Sequence, residues 1–369
     1  LTNEGASLPH YSGIPRGISR AGLNTGEIDQ SIIGFENSWA NLELGRSREI
    51  WGPFKEENLL LSGTAPSYER LMIQVQHKKI TYRWFFGFLE TIIDTSNSED
   101  IQRYIVGKAV EYTNRKNFIV GLGEVSIIAG PNRPIDLSYL NPLAFHLDVD
   151  MNQRSNATNI RQNNAIWFLH FDWRPLKPLR LSGSFIVDEF QLDQKDRDEG
   201  RTDALGWSTR AAWTSGNDDV GFTLFVHHIL LDTYTMQYQN KGYLNFVTRD
   251  QLLGQAIGND AEKALVGIRI TSSDLPIMLE LEYGQFRWGS NSLRLDTYKP
   301  YENFIEVPFP SGDVKINKYF SCKLRSHPMK GLSVNIDGHF DIQHSGENSA
   351  FEAWTLSVRY QIPFLISGS

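Results

Sequence analysis

Residues 330–343, KGLSVNIDGHFDIQ, carry the clearest structural pattern in the chain. One face of this stretch carries Leu332, Val334, Ile336, Phe340 and Ile342, and the other carries Ser333, Asn335, Asp337, His339, Asp341 and Gln343. Successive side chains of a β-strand point to opposite faces, so this period of two predicts a strand with one apolar and one polar face.

The same alternation recurs along the chain, for example in residues 219–231, 262–271 and 353–364. Several segments run for about 11–15 residues, whereas strands of soluble proteins usually have about 5–6. A tilted strand needs about 9–11 residues to cross a bilayer, and outer-membrane barrels alternate short turns with long loops. The pattern therefore predicts an all-β protein: an antiparallel transmembrane β-barrel of about 16–18 strands. An array of soluble β-sandwiches is the alternative fold.

Composition narrows the classes of function. The chain has 369 residues and a net charge of −7, which disfavours nucleic-acid binding because a phosphate backbone attracts basic surfaces. Its single cysteine, Cys322, excludes an intramolecular disulfide and a cysteine-based metal site. The scattered histidines have the wrong strand parity to share one ion, so we expect no metal site and no cofactor.

Two segments interrupt the strand pattern. Residues 51–66 and 135–145 contain prolines, and Asp136 is a candidate helix N-cap. We expect both to form ordered loops or single helical turns that fold against the lumen and partly fill it. Residues 1–30 are rich in Gly and Pro and are predicted to form a periplasmic or irregular segment, followed by one barrel domain over residues 31–369.

Three blocks in sequence carry a resemblance to a known family. The first, Trp39–Ile73 (WANLELGRSREIWGPFKEENLLLSGTAPSYERLMI), contains W-G-P, L-x-L-S and Ala-Pro steps. The second, Gly121–Asn152, contains G-x-x-E and Y-L-N-P, and the third is GSFIVDEFQLD (Gly183–Asp193). Over residues 30–195 the chain resembles the Wzi-type capsule-assembly outer-membrane proteins.

This resemblance implies a monomeric β-barrel in the bacterial outer membrane, in contact with outer-membrane lipid. It implies that the protein binds or anchors capsular or related surface polysaccharide and is not an enzyme. No nucleophile elbow, phosphate loop or dinucleotide fingerprint is present in the sequence. A porin that conducts small solutes is the alternative function.

Candidate glycan contacts combine flat aromatic rings with planar polar groups, which match the C–H faces and hydroxyls of sugars. They are Arg46, Arg48, Trp51 and Asn58, then Arg133, Tyr139 and Asn141, and finally Tyr298 and Tyr301 in a late loop. Trp51 and Tyr139 have a second interpretation as anchors of their loops.

Charged residues inside the strand segments form a second set of candidates. In a barrel they are expected to face the lumen, because Arg or Lys at the lipid midplane costs about 2–4 kcal/mol. The predicted lumen charge network comprises Arg83, Glu90, Arg103, Glu124, Asp188, Arg269, Glu280 and Arg359. Their mixed signs predict ion pairs across the interior.

Overall fold

The structure is a computed structural model, and it describes residues 30–52, 57–94, 99–146, 149, 163–191, 194–217, 219–272, 274, 276–329, 332–344 and 352–360. The predicted segment 1–30 therefore lies outside the described residues except for residue 30. No helix in the described ranges is long and apolar enough to cross a bilayer.

Regular structure in the described residues is almost entirely β. The strands are β1 (Ser31–Glu36), β2 (Ala40–Ser47), β3 (Tyr68–His77), β4 (Ile80–Phe88), β5 (Ile92–Asp94), β6 (Glu99–Thr113), β7 (Phe118–Pro131), β8 (Asn163–Trp173), β9 (Leu179–Glu189), β10 (Ala204–Gly216), β11 (Val220–Leu231), β12 (Val247–Thr248), β13 (Gln251–Leu252), β14 (Ala261–Ser272), β15 (Ile277–Trp288), β16 (Lys315–Met329), β17 (Leu332–His344) and β18 (Glu352–Tyr360). The helical pieces are α1 (Leu137–Leu140), α2 (Gln194–Asp198) and a 3-10 turn (Gly242–Leu244).

Sixteen strands form one antiparallel sheet, in which consecutive strands pair along the chain, except that β4 pairs directly with β6 and the short β5 pairs only with β6. Short turns join the strands at one end, for example at residues 78–79 and 114–117. Long connections join them at the other end, including residues 48–67, 132–162, 232–260 and 289–314. We call the end of the sheet with the short turns the turn end and the end with the long connections the loop end. The separation of short turns at one end from long connections at the other confirms the predicted antiparallel arrangement of long strands.

The sheet curls, so that one face becomes an interior. A single buried apolar cluster receives side chains from β3, β4, β6, β7, β8, β9, β11 and β14. Met72, Phe85 and Ile127 in this cluster are completely buried. Strands so far apart in the sheet meet at one cluster only if the sheet bends around it.

The opposite, outer face is apolar and exposed. Its large exposed side chains include Leu42, Leu44, Val110, Leu122, Trp167, Leu169, Phe222, Leu224, Val226, Val266 and Leu356. These residues alternate with the inward ones along each strand, as the period-two pattern predicts. A folded protein in water would not leave so continuous an apolar surface uncovered.

Two connections fill the interior at the loop end, and we call them the plug (residues 57–65 and 232–260). Gln255 N donates to Leu59 O at 2.9 Å, and Ser62 N donates to Leu253 O at 3.1 Å. From the wall, Arg103 donates to the carbonyl oxygens of Tyr243, Val247 and Asn245 at 2.6, 2.9 and 3.0 Å, in that order. The predicted filling of the lumen by loops is thus observed for the segment after Trp51.

The other proline-interrupted segment behaves differently. Asp136 caps α1 as predicted, accepting a hydrogen bond from Ser138 N at 2.9 Å. The segment packs on the outer face of β4, β6 and β7 instead of the lumen, and we call residues 132–146 the strap. Tyr82 Oη donates to Pro142 O, and Tyr104 Oη donates to Arg133 O at 2.9 Å. The expectation that this segment folds into the lumen is therefore wrong.

The strap also corrects one of the predicted lumen charges. Glu124 has the parity of Leu122, which faces outward and is 58% exposed. Its carboxylate lies 3.6 Å from Lys108 Nζ and accepts a hydrogen bond from His146 N in the strap at 2.7 Å. Lys108 also donates to Ala144 O. Protein covers this outward ion pair, so these two charges are buried although they lie on the outer face.

Candidate functional site

Three aromatic rings cluster at the loop end. The ring centroids of Tyr234 and Tyr301 lie 5.0 Å apart, those of Tyr234 and Phe304 5.1 Å, and those of Tyr301 and Phe304 5.4 Å. Such distances are typical of interacting aromatic pairs. Tyr234 comes from the connection after β11 and the other two from the connection after β15, so the cluster joins two loops.

Backbone contacts hold these loops in place. Asn240 N donates to Tyr301 O at 2.9 Å, and Tyr234 Oη donates to Ile305 O at 2.8 Å. Asp260 is completely buried and accepts hydrogen bonds from Thr233, Asn291 and Ser311. The Asp260 carboxylate thus links the connection after β11 to the connection after β15. The aromatic cluster is consequently preorganised by the chain's own hydrogen bonds.

A cavity of about 560 Å³ opens beside the aromatic cluster. Its lining includes Tyr238, Tyr301 and Phe304, the charged residues Glu189, Glu199, Arg201 and Lys241, and the amides Gln239, Asn240 and Asn303. Rings and planar polar groups therefore converge on one space. Acidic and basic side chains are balanced in number, so the cavity has no strong preference for a charged ligand.

The chemistry of Tyr301 suits hydrogen bonding to a neutral partner. Burial, together with the carboxylates of Asp188 and Glu189, raises the pKa of the Tyr301 hydroxyl above its ordinary value. The phenol therefore stays protonated across the physiological range, since even the ordinary value is about 10. It can donate one hydrogen bond and accept another, as a sugar hydroxyl requires.

The first group of predicted glycan contacts lies away from this cavity. Trp51 and Asn58 are buried in the interior, and Trp51 packs edge-on against Phe85 at 5.2 Å. Arg46 faces outward and pairs with Glu69 at 2.8 Å, whereas Arg48 is half-buried. The arrangement of Trp51 matches its second interpretation as an anchor, and a glycan contact by these four residues stays a prediction.

The second group lies in the strap. Arg133 and Tyr139 are buried, with the Arg133 guanidinium 5.7 Å from the Tyr139 ring centroid. Tyr139 also stacks on His146 at 5.8 Å. Asn141 is exposed, and its side chain accepts a hydrogen bond from Leu143 N at 3.0 Å. These residues hold the strap together, and their contact with a glycan also stays a prediction.

The two tyrosines of the third group lie in different places. Tyr301 lines the loop-end cavity. Tyr298 instead turns to the interior, where it donates to Glu90 and lies 5.4 Å from the Arg103 guanidinium. Glu90 also accepts hydrogen bonds from Arg103, Thr248 and Arg249. The two predicted charges Glu90 and Arg103 therefore fasten the plug to the wall.

The other predicted charges mostly face inward. Arg83 lies 3.5 Å from the buried Glu49, and Asp188 accepts a hydrogen bond from Met236 N at 2.6 Å. Glu280 pairs with Lys323 at 3.1 Å and with Arg269. Arg359 belongs to β18, and its side chain lies outside the described residues.

Sequence reasoning missed most of the cavity. Tyr238, Lys241, Arg201 and Glu189 carry no motif, and more than thirty positions of chain separate some of them. Only the aromatic content of the connection after β15 pointed to this region. Among the described residues, no three His, Cys, Asp or Glu side chains form a group that could hold a metal ion.

Comparison with known families finds one match over most of the chain. The profile of the family described as "Capsule assembly protein Wzi" matches residues 11–338. A comparison with curated proteins gives no match.

Solved structures show where the fold occurs. The Escherichia coli outer-membrane protein Wzi, described as a carbohydrate-binding β-barrel involved in group 1 capsule assembly, aligns with a TM-score of 0.65 at 12% identity. The alignment covers 92% of this chain and 71% of that chain. Pseudomonas aeruginosa OccD3 aligns with a TM-score of 0.49 at 12% identity, covering 92% of this chain and 78% of the other. The first similarity shows that the curled sheet has the fold of a β-barrel.

Proposed function

The chain belongs to the capsule assembly protein Wzi family, and we propose that it is a non-catalytic outer-membrane barrel that binds surface polysaccharide. The barrel crosses the membrane with its apolar outer face against outer-membrane lipid, and the protein acts as a monomer. Its loop end faces the outside of the cell, because long loops of outer-membrane barrels are extracellular and short turns periplasmic.

The observation that carries the proposal is the loop-end cavity. Aromatic rings of Tyr238, Tyr301 and Phe304 stand beside carboxylate, amide and guanidinium groups in a space of about 560 Å³. Rings bury the C–H faces of a sugar, and planar polar groups pair with its hydroxyls. A cavity of this size accommodates a short stretch of a polysaccharide while the rest of the chain stays in solvent.

The plug supports binding over conduction. Completely buried side chains such as Met236, Leu244 and Phe246 fill the interior at the loop end. A porin keeps a water-filled channel there. We expect the purified protein to show no steady open steps in a planar bilayer, and such steps would favour the porin alternative.

The direct test is affinity for polysaccharide purified from the surface of the source cells. Tyr301→Ala and Tyr238→Ala remove cavity rings, and each is expected to weaken binding about tenfold, which corresponds to about 1.4 kcal/mol. Tyr112→Ala is the matched control, because Tyr112 is exposed at the turn end of β6. Calorimetry on protein in nanodiscs measures all four affinities.

A cellular experiment checks the role. Deletion of the gene should release surface polysaccharide into the medium, and the wild-type copy should restore attachment. Full retention of polysaccharide by the deletion strain would contradict the proposal, as would equal binding by wild type and both cavity variants.

A further inference from the structure

A polar row lies on the outer face of β11, β14 and β15 near the loop end. His228 shares the outward parity of Val226, which is 53% exposed, and Glu262 shares that of Val266, which is 50% exposed. Arg287 stands directly opposite Glu262 and therefore lies on the same face. The side chains of His228 and Arg287 are 36% exposed and that of Glu262 is 24% exposed. Unlike the pair under the strap, these groups stay partly open to the surroundings of the barrel.

Hydrogen bonds fix the direction of each group in the row. Trp207 Nε1 can only donate, and it lies 3.1 Å from His228 Nδ1. His228 Nδ1 is therefore the acceptor, and the proton is on Nε2, which donates to one carboxylate oxygen of Glu262 at 3.0 Å. The other oxygen of Glu262 accepts a hydrogen bond from Arg287 Nη1 at 2.8 Å. Arg287 is thus held by one nitrogen, and its other N–H groups have no partner among the described residues.

A second cation stands on the next strand. Lys318 of β16 is paired directly with Gln285 of β15. Gln285 has the outward parity of Tyr283, which is 48% exposed, so Lys318 also points outward. Directly opposite side chains on one face have Cβ atoms about 4.5–5.5 Å apart, and diagonal neighbours about 7–8 Å. Arg287, Gln285 and Lys318 therefore lie within reach of one small ligand, and we call them the rim site.

The rim site favours an anion. Arg287 matches the charge of Glu262, which leaves Lys318 without a counterion in the described part of the chain. Arg offers a planar set of donors that fits phosphate oxygens, Lys adds a point charge, and Gln adds an amide donor. A phosphate monoester has three strong acceptor oxygens and a charge of about −1.5 to −2 at neutral pH. Its three terminal oxygens match the three donor side chains of the rim site.

The surface next to the rim site suits lipid. The outward side chains that follow toward the turn end are apolar or aromatic: Tyr283, Leu281 and Leu279 on β15, and Phe320, Cys322 and Leu324 on β16. Tyr283 and Phe320 stand directly opposite each other. Girdles of aromatic residues mark the levels where a barrel passes from hydrocarbon to headgroups. The rim site therefore lies at headgroup level, on the loop-end side of the bilayer.

From this arrangement we propose that the rim site binds the phosphate monoester of an outer-leaflet lipid. The phosphate lies between Arg287 and Lys318 and accepts a hydrogen bond from Gln285, while the acyl chains lie along Tyr283 and Phe320. A free anion would gain only the polar contacts, whereas a lipid uses both the polar and the apolar part of this surface. The lipid site rests on the membrane orientation in the proposed function, and it does not depend on the loop-end cavity.

The test is native mass spectrometry of the full chain in detergent micelles, titrated with lipid. The probe is lipid A that carries two phosphate monoesters, and the comparison lipid is the same lipid A after enzymatic removal of both phosphates. We expect the phosphorylated form to bind about tenfold more tightly, because only this form can pair with Arg287 and Lys318. Equal affinity for the two lipids would overturn the lipid site.

Variants locate the preference at the rim site. Lys318→Gln removes a cation without leaving a partner behind, and it should weaken binding of phosphorylated lipid A about fivefold to tenfold. Arg287→Gln should do the same, with heat-modifiable gel migration as the check that the barrel is folded. Neither variant should change the affinity for dephosphorylated lipid A. The matched control is Lys79→Gln, which removes an exposed charge in the turn between β3 and β4 and should change neither affinity.

Competition identifies the source of the phosphate. Inorganic phosphate in large excess should displace little lipid A, because it lacks the acyl chains. Displacement at the concentrations that saturate a free-anion site would overturn the assignment to lipid. A preference for phosphorylated lipid A that survives in both rim-site variants would overturn the proposed location.

A parallel titration with lipid-free polysaccharide separates the two proposals. Lys318→Gln should bind polysaccharide as tightly as wild type does, because Lys318 does not line the loop-end cavity. If polysaccharide binds while the preference for phosphorylated lipid A is absent, only the lipid site fails. If the preference is present while polysaccharide does not bind, only the proposed polysaccharide function fails.

Discussion

Two ion-pair sites lie on opposite faces of the barrel wall, and their charged side chains differ in exposure. On the inner face, Glu280 contacts Arg269 and Lys323, whose side chains remain about one-third exposed. On the outer face, Lys108 and Glu124 are 5% and 3% exposed because the strap covers them. The cations of the inner site remain partly exposed to solvent, whereas protein covers both charges of the outer site. Strand parity alone therefore does not decide whether a charge on the wall is exposed or covered.

The largest effect is expected at the covered pair. Lys108→Met leaves the Glu124 carboxylate buried without its cation, which typically costs about 3–5 kcal/mol. We expect a drop of that size in the free energy of unfolding, measured by urea titration in detergent with heat-modifiable gel migration as the readout. The double variant Lys108→Met/Glu124→Leu should recover most of the loss. A single-variant loss below about 1 kcal/mol would mean that the strap does not seal the pair.

The position of the strap in the bilayer is tested next. Leu143 points away from the wall and is 79% exposed. If the strap lies in lipid, Leu143→Asp should reduce stability in liposomes by about 2 kcal/mol, because charges on the lipid face are costly. Leu295→Asp, in the connection after β15 and 54% exposed, is the control and should be nearly neutral. Equal effects of both substitutions would place the strap in water.

A smaller effect is expected at the inner site. Glu280→Gln removes the carboxylate that Arg269 and Lys323 share, but water can solvate both cations. We expect a loss of about 1 kcal/mol in the same urea titration. A loss as large as that of Lys108→Met would show that the inner network is dry and would erase the contrast between the two faces.

The smallest effect is expected at an outward pair without a cover. Arg46 and Glu69 lie 2.8 Å apart near the loop end, with side chains 22% and 54% exposed. Arg46→Ala should cost about 0.5 kcal/mol or less, and salt should weaken even that. Urea titrations at low and high ionic strength measure it, and a cost that is large and salt-independent would contradict this expectation.

Much of the wall was predictable from local pattern. Alternation in residues 330–343 assigns the strand that the structure places at Leu332–His344, and the Asp136 cap follows from local side-chain chemistry. The strap was predicted as a helical turn but placed on the wrong face. Its position depends on contacts such as that of Ala144 with Lys108, across many positions of chain, which no local pattern encodes.

The loop-end cavity was also only partly predictable from the sequence. Tyr301 stood out because aromatic residues are concentrated in its loop, whereas Tyr238 and Glu189 carry no signal of their own. They become neighbours because the connections after β9, β11 and β15 fold over one another. Similarly, Trp51 looks like a sugar platform in the sequence and is buried against Phe85 in the structure.

A barrel of long antiparallel strands and the family follow from the amino-acid sequence alone, because the period of two and the ordered motifs are local and do not depend on how the loops are arranged. Which face each loop covers and which rings share a cavity depend on how the whole chain folds. Such contacts join residues far apart in the chain, and their energy depends on the shape that the whole wall adopts.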